Sequence, residues 1–265
     1  MNVARVASSA VLLVALAAGG CSAKRETAAS RGRVRVAAAA DLNQALGAVI
    51  AGFGAAHDVD VTVSYGSSGT FYAQLLNEAP FDLFLSADLH YPNELASRGL
   101  TLPQTGFTYA VGRLVLWAPA ASPLAIERDG FAALTDASIT HLAIANPEHA
   151  PYGRAAVAAM QSAGIYDRLR AKLVLGENVA QTMQFAQSGA ADAAIVARSL
   201  TFAPDIKGTG RVFDIPPATY PRMDQGGVIM RWAADPDAAR ALRGFILSAG
   251  GRAILERSGF ALPER

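Results

Sequence analysis

Residues 64–76, SYGSSGTFYAQLL, set two serines between two glycines, where a β-type run ends and a helix-type pattern begins. Just before them VDVTVSY alternates with period two, as a half-buried strand does. A strand that turns through Gly66, Ser67, Ser68 and Gly69 into a helix presents unpaired backbone N–H groups at that helix's N-terminus. Such an end favours negative charge. The glycines allow a tight backbone and close approach, and the serine hydroxyls can donate without adding charge.

The same unit recurs along the chain. VRVAAAA at 34–40 is followed by Leu42, Ala45, Leu46, Val49, Ile50 and Phe53, which share one helix face. Further strand-type runs are FDLFLSAD (81–88), LAIANP (142–147), AKLVLG (171–176), AAIVA (193–197) and GGVIMRW (226–232), with helices predicted over 237–249 and 251–258. Strands alternating with helical periods predict an α/β protein with parallel βαβ units. FTYAVGRLVLWAP (107–119) is long enough to cross between two lobes. Four strand ends carry small or amide-bearing residues directly before a helix: AAAADLNQAL, SYGSSGTFYAQLL, ANPEHAPYGRAAVAAM and LGENVAQTMQFA. In open α/β sheets such turns gather at the carboxyl ends of the strands, where ligands bind. Singly, each is explained by helix capping through Asp41, Ser68 or Asn178; together they would surround a small dianion with neutral donors.

The chain has 265 residues, 52% hydrophobic and 17% charged, enough for a substantial core. With 23 Lys and Arg against 22 Asp and Glu and no basic run, counterion release has nothing to work with, which argues against nucleic-acid binding. Residues 1–21, MNVARVASSAVLLVALAAGGC, carry one positive residue and a short apolar run, the pattern of an export signal rather than a membrane span. Cys21 is the single cysteine, so no internal disulfide forms. Its place after AAGG resembles a lipobox, which implies lipidation at Cys21; an ordinary cleaved signal is the alternative. Residues 22–32 have the composition of a tether.

AAAADL, GSSG, APFDLFLSAD, FTYAVGRLVLW, IANPEHAPYGRAA and LVLGENVAQTMQFAQSG, in this order, resemble the periplasmic molybdate-binding proteins of ABC importers, over nearly the whole chain after residue 34. The resemblance implies a type II, Venus-flytrap fold with a mixed sheet in each lobe, lobe I at 33–111 and 221–265 and lobe II at 112–220, with hinges near Gly112 and Tyr220. It implies an exported, monomeric receptor without enzymatic activity or cofactor, delivering molybdate, and tungstate of similar size and charge, to a membrane permease. The family's donors fall on Asp41 with Ala40 before it, on Ser68 with Ser67 beside it, on Tyr152, and on Val179 after Asn178. A tyrosine found in some members falls on Ala197, and Tyr152 is expected to take over its hydroxyl's role.

Asp41 stands where other members have serine or asparagine. A carboxylate facing a dianion at 4 Å would repel it by about 4 kcal/mol per charge pair at an effective dielectric near 20. The expectation is therefore that Asp41 turns back to cap its own helix while backbone amides meet the ligand. As an acceptor, Asp41 keeps phosphate, partly protonated at neutral pH, as an alternative ligand; sulfate is another.

A serine hydrolase built on Ser68 is the rival from a different class, but YGSSGT lacks the G-x-S-x-G elbow and no histidine is identifiable as its base. His57, His90, His141 and His149 show no metal-ligand spacing, although PEHAP places His149 near the cleft. Asp82 and Asp88 read as residues fixing loops rather than as a metal pair. KGTGR lacks a nucleotide-binding setting. Trp117 and Trp232 lie in apolar patterns expected to pack in the core.

Overall fold

The computed structural model describes residues 31–264; the export segment 1–21, Cys21 and all but the end of the tether lie outside the described residues. Strand β1 (Gly32–Ala39) leads into a 3-10 turn (Ala40–Leu42) and helix α1 (Asn43–Gly54), and β2 (Val59–Gly66) leads into α2 (Ser68–Leu75). Then come β3 (Leu83–Ser86), α3 (His90–Ser97) and β4 (Phe107–Gly112). After Arg113 alone, β5 (Leu114–Pro119) starts a second sheet. It is followed by α4 (Ile126–Asp129), β6 (Leu142–Ala145), α5 (Pro151–Ser162), α6 (Tyr166–Leu169), β7 (Leu173–Gly176), α7 (Val179–Gln187), β8 (Ala193–Ala197) and β9 (Gly210–Asp214). The chain returns to the first sheet as β10 (Met223–Ile229) and ends in α8 (Pro236–Leu247) and α9 (Ala249–Arg257).

Two lobes result, each with a mixed five-stranded sheet, ordered β2-β1-β3-β10-β4 in one and β7-β6-β8-β5-β9 in the other. Register places the turns. β1 and β2 run parallel with Ala39 opposite Gly66, so the turns that follow them start side by side. In the other sheet Ala145 of β6 lies opposite Gly176 of β7, with the same effect. β10 runs antiparallel to both β3 and β4 within the first sheet, and β5 antiparallel to both β8 and β9 within the second; the chain passes between the sheets from β4 to β5 and again from β9 to β10.

The sequence pattern explains the layers. Val34 and Val36 of β1 face Leu46 and Phe53 of α1 and Leu242 of α8, all fully or almost fully buried, while Phe84 of β3 packs with Phe71, Leu75 and Leu95 on the opposite face. Each such side chain contributes about 1.5–3 kcal/mol on burial. The second lobe closes around Leu116, Trp117, Ile144, Met160 and Met183. Trp117 is core, as its apolar surroundings predict, whereas Trp232 is half-buried and donates its indole N–H to Ala79 O at 3.1 Å. Strand β9 has no counterpart in the sequence reading: five residues at a sheet edge with partly exposed side chains carry little periodicity.

Candidate functional site

The four turns meet. Residues 39–41, 66–68, 150–152 and 178–179, with Ala87 between them, line one cavity whose non-atom volume, mouth included, is about 210 Å³. Ala40, Asp41, Ser67, Ser68, Tyr152, Asn178 and Val179 are all among its lining residues. Lysine, arginine and histidine are not among them, and Asp41 is the one carboxylate. Three helices of eight to twelve residues, α2, α5 and α7, begin at this cavity, and the 3-10 turn before α1 adds a fourth N-terminus. Among the described residues the amides of Ser68, Tyr152 and Val179 donate no hydrogen bond, as befits the first turn of a helix. Such a cavity is chemically a set of neutral donors in the positive ends of several helix dipoles.

The side chains divide by what they already hold. Asn178 caps α7, its Oδ1 accepting from the amides of Ala180 and Gln181 at 3.0 and 3.1 Å, which leaves the Val179 amide to the cavity. Ser68 Oγ accepts from the Ala87 amide at 3.0 Å, so its own proton is free to donate elsewhere. Ser67 differs from the sequence expectation: its hydroxyl donates to His149 O at 2.8 Å and is therefore spent on the facing lobe. Ala197 lies in β8, fully buried and opposite Leu114, and supplies only apolar packing. Tyr152 does not replace the missing hydroxyl, because its phenol is directed to Asp41 and its amide is the donor left at the cavity.

Asp41 corrects the expectation of a capping carboxylate. Neither the 3-10 turn nor α1 has a side-chain cap. Instead Asp41 is fully buried and its Oδ2 accepts from Tyr152 Oη at 3.0 Å and from Gln225 Nε2 at 2.6 Å. Its Oδ1 makes no hydrogen bond of ordinary geometry among the described residues, although the amides of Asp41 and Leu42 lie near enough to favour the charged form. Burial outweighs these bonds and pushes the carboxyl up to about 6. The same burial, with the Asp41 charge beside it, holds the Tyr152 phenol well above its ordinary value. Gly112 keeps this cluster possible: a Cβ there would lie 2.7 Å from Tyr152 Oη and 2.8 Å from Gln225 Nε2.

Around the cavity the lobes are in contact. Ser199 Oγ donates to Asp41 O at 2.8 Å, the Gly69 amide to His149 O at 2.9 Å, and Thr70 Oγ1 to Glu177 Oε1 at 2.9 Å. Arg154 reaches Asp88 Oδ2 at 2.7 Å and Tyr91 Oη at 3.2 Å. Asp88 thus fixes a loop and also joins the lobes. Asp82 is held by Arg35 and the Ala234 amide; burial pushes its carboxyl up, and those bonds outweigh it, leaving it below its ordinary value.

His149 Nδ1 lies 3.0 Å from Ser67 Oγ, and its Nε2 lies 3.5 Å from Glu177 Oε2, a Ser-His-Glu sequence of contacts that no local spacing in the sequence shows. It is not a nucleophile site. The Ser67 proton goes to the His149 carbonyl of the facing lobe, the serine is 3% exposed, and its hydroxyl serves the contact between lobes.

Gln225 and Ser199 were also missed. The signal for Gln225 was a lone amide in the otherwise apolar run of β10, where a fully buried polar side chain needs a partner.

Two mixed α/β lobes joined by two crossings, with four strand-to-helix turns meeting in the cleft between them, define a two-lobed solute-binding protein. Residues 34–261 match the family described as bacterial extracellular solute-binding protein, and the chain belongs to that family. The molybdate-binding protein ModA of Rhodobacter capsulatus is 36% identical over 88% of this chain and 89% of its own, and that of Azotobacter vinelandii 35% over 95% and 97%. The solved structure of the Azotobacter vinelandii periplasmic molybdate-binding protein superposes with a TM-score of 0.82 at 32% identity, covering 87% of this chain and all of the other. These relatives are binding proteins, not enzymes, and the hydrolase reading of Ser68 falls with them.

Proposed function

We propose that the protein is an extracytoplasmic receptor that captures molybdate, and tungstate with it, between its lobes and delivers the anion to an ABC importer. The observation that carries this is the meeting of amides from Ser68, Tyr152 and Val179, with the Ser68 hydroxyl, at one cavity free of basic side chains. A fully ionised tetrahedral oxyanion accepts hydrogen bonds and donates none, so a ring of donors replaces its water shell. Relatives named as molybdate-binding proteins, matched over nearly their whole length, support the choice of ligand. Sulfate and phosphate are the alternatives, differing in size and in protonation.

Lobe I would comprise 33–111 and 221–265 and lobe II 112–220, hinged near Gly112 and Tyr220. Closure then adds the Tyr152 and Val179 amides to those around Asp41 and Ser68, and binding shifts the open and closed populations through that difference alone. The closed shape is what a permease would recognise. Export through residues 1–21, a lipid on Cys21 and a tether over 22–32 would keep a monomeric receptor at the membrane, with more than one acyl chain for firm anchoring.

Thermal unfolding with each anion tests the ligand. At a hundredfold excess over Kd, a bound anion stabilises by about 2.7 kcal/mol, which raises Tm by roughly 5–10 °C. We expect that shift with molybdate and tungstate at concentrations where sulfate and phosphate give none; a shift with sulfate or phosphate alone would reassign the ligand.

A further inference from the structure

Asp41 is the anomaly of the site. It lines a cavity otherwise made of neutral donors, and it is fully buried. Its two oxygens are not equivalent. Oδ2 holds both available side-chain donors, the Tyr152 phenol and the Gln225 amide, while Oδ1 is buried with no side-chain donor and no hydrogen bond of ordinary geometry among the described residues, the amides of Asp41 and Leu42 lying nearby. An ionised carboxylate would leave that oxygen as an unpaired acceptor, and beside a dianion it would add repulsion in a poorly screened setting.

We propose that Asp41 holds the anion as a neutral carboxylic acid: Oδ2 is anchored by Tyr152 and Gln225, the proton sits on Oδ1 and is donated to an oxyanion oxygen, and capture of a dianion takes up one proton from solution. This rests on the receptor function proposed above and adds the protonation state of the loaded site. The balance is simple. One dianion and one proton enter, the carboxylate becomes a carboxyl, and no covalent bond other than O–H forms.

Among the described residues nothing else near Asp41 neutralises the pair of charges. On the elements packed around Asp41, Tyr152 of α5 and Tyr109 of β4 are neutral phenols, the latter donating to Ser86 O at 2.9 Å. Arg198, beside Ser199, is engaged with Asp214 at a partly exposed site. At the start of α7, Glu177 is met by Thr70 and His149, and beyond Tyr91 the Arg154 charge is matched by Asp88. Arg113, at the β4–β5 crossing, bears on Tyr220, and among the described residues no cation acts on Asp41, whose carboxyl burial, against its hydrogen bonds, already moves up to about 6 before an anion adds its own field.

The test is calorimetric titration of the purified protein with molybdate and with tungstate, at about pH 8 in buffers of different ionisation enthalpy, repeated from about pH 7 to about pH 9, a range in which both anions stay fully ionised. We expect close to one proton taken up per anion bound, and a Kd that rises about tenfold per pH unit. Asp41→Asn, whose amide can donate where the carboxyl did, should bind with no proton uptake and a flat pH profile, and at about pH 8 should bind roughly a hundredfold tighter than the parent protein. Should Asp41→Asn fail to fold, the proton count of the parent protein decides alone. Tight molybdate binding without proton uptake overturns the proposal and leaves the receptor function standing. A parent protein that prefers phosphate, with the preference lost in Asp41→Asn, also overturns it, since the carboxylate would then be accepting a proton from the ligand. Absence of heat with molybdate and tungstate removes both.

Discussion

Tyr152, at the start of α5 in one lobe, donates its phenol to Asp41, in the turn after β1 in the other, at 3.0 Å and out of reach of solvent. Burial of the carboxylate outweighs its bonds from Tyr152 and Gln225 and the nearby amides of Asp41 and Leu42, which is why its pKa rises rather than falls.

That shift makes Asp41 a liability for folding above its own pKa. A carboxyl raised from an unfolded value near 4 to about 6 contributes its stability fully at pH values below about 4 and loses it as pH rises through about 6. At neutral pH the cost is on the order of 2–3 kcal/mol. Urea unfolding without anion should therefore show Asp41→Asn more stable than the parent protein at pH 7.5, with the gain vanishing near pH 4. A difference independent of pH would show that ionisation of Asp41 is not its source.

Gly69 tests closure separately from folding. A Cβ there would lie 2.5 Å from His149 O, a backbone collision that only the closed lobes impose, and 2.6 Å from Tyr91 Oη, the end of a side chain in its own lobe that can shift. In the open form alanine is the better helix residue. We expect Gly69→Ala to unfold no more easily than the parent protein yet to bind anion roughly five- to 150-fold more weakly, the equivalent of about 1–3 kcal/mol of overpacking. Equal losses in both measurements would mean the glycine matters for folding instead.

Ser68→Ala removes the one serine hydroxyl of the pair whose proton is not already committed. Loss of a hydrogen bond to a charged ligand costs about 1.5–3 kcal/mol, so affinity should drop roughly ten- to 150-fold. Ser67→Ala should act instead on the contact with His149 and change affinity less. The two variants are compared by calorimetry, and a larger effect at Ser67 would exchange the roles assigned here.

The two inter-lobe contacts of α5 should differ in weight. Tyr152→Phe leaves a buried carboxylate with one side-chain donor and should cost about 1.5–3 kcal/mol at neutral pH. Arg154→Gln breaks an ion pair whose arginine is 40% exposed, worth less than about 1 kcal/mol. Chemical unfolding of both variants decides the order.

Much of this arrangement could be read from residue patterns. Strand-type runs that end in small or amide-bearing residues directly before helical spacing mark the four turns, because a strand's end and a helix's start are local events. Asn178 shows it best: the amide needed to cap α7 was visible, and it caps. The direction of the Asp41 side chain was not legible, since its partners Tyr152 and Gln225 lie 111 and 184 residues away and only the crossings of β4 and β10 bring them together. The direction of the Ser67 hydroxyl is hidden for the same reason. A hydroxyl beside a helix start looks free until His149 arrives from the other lobe.

On the function proposed above, the four turns hold the anion together. Tungsten's anomalous scattering locates it without ambiguity in crystals of the protein grown with tungstate. We expect one strong peak in the cavity, with oxyanion oxygens in hydrogen-bond reach of the Ser68, Tyr152 and Val179 amides and of Asp41 Oδ1. A peak bound to one lobe's turns alone in closed molecules, or at basic side chains elsewhere, would contradict it.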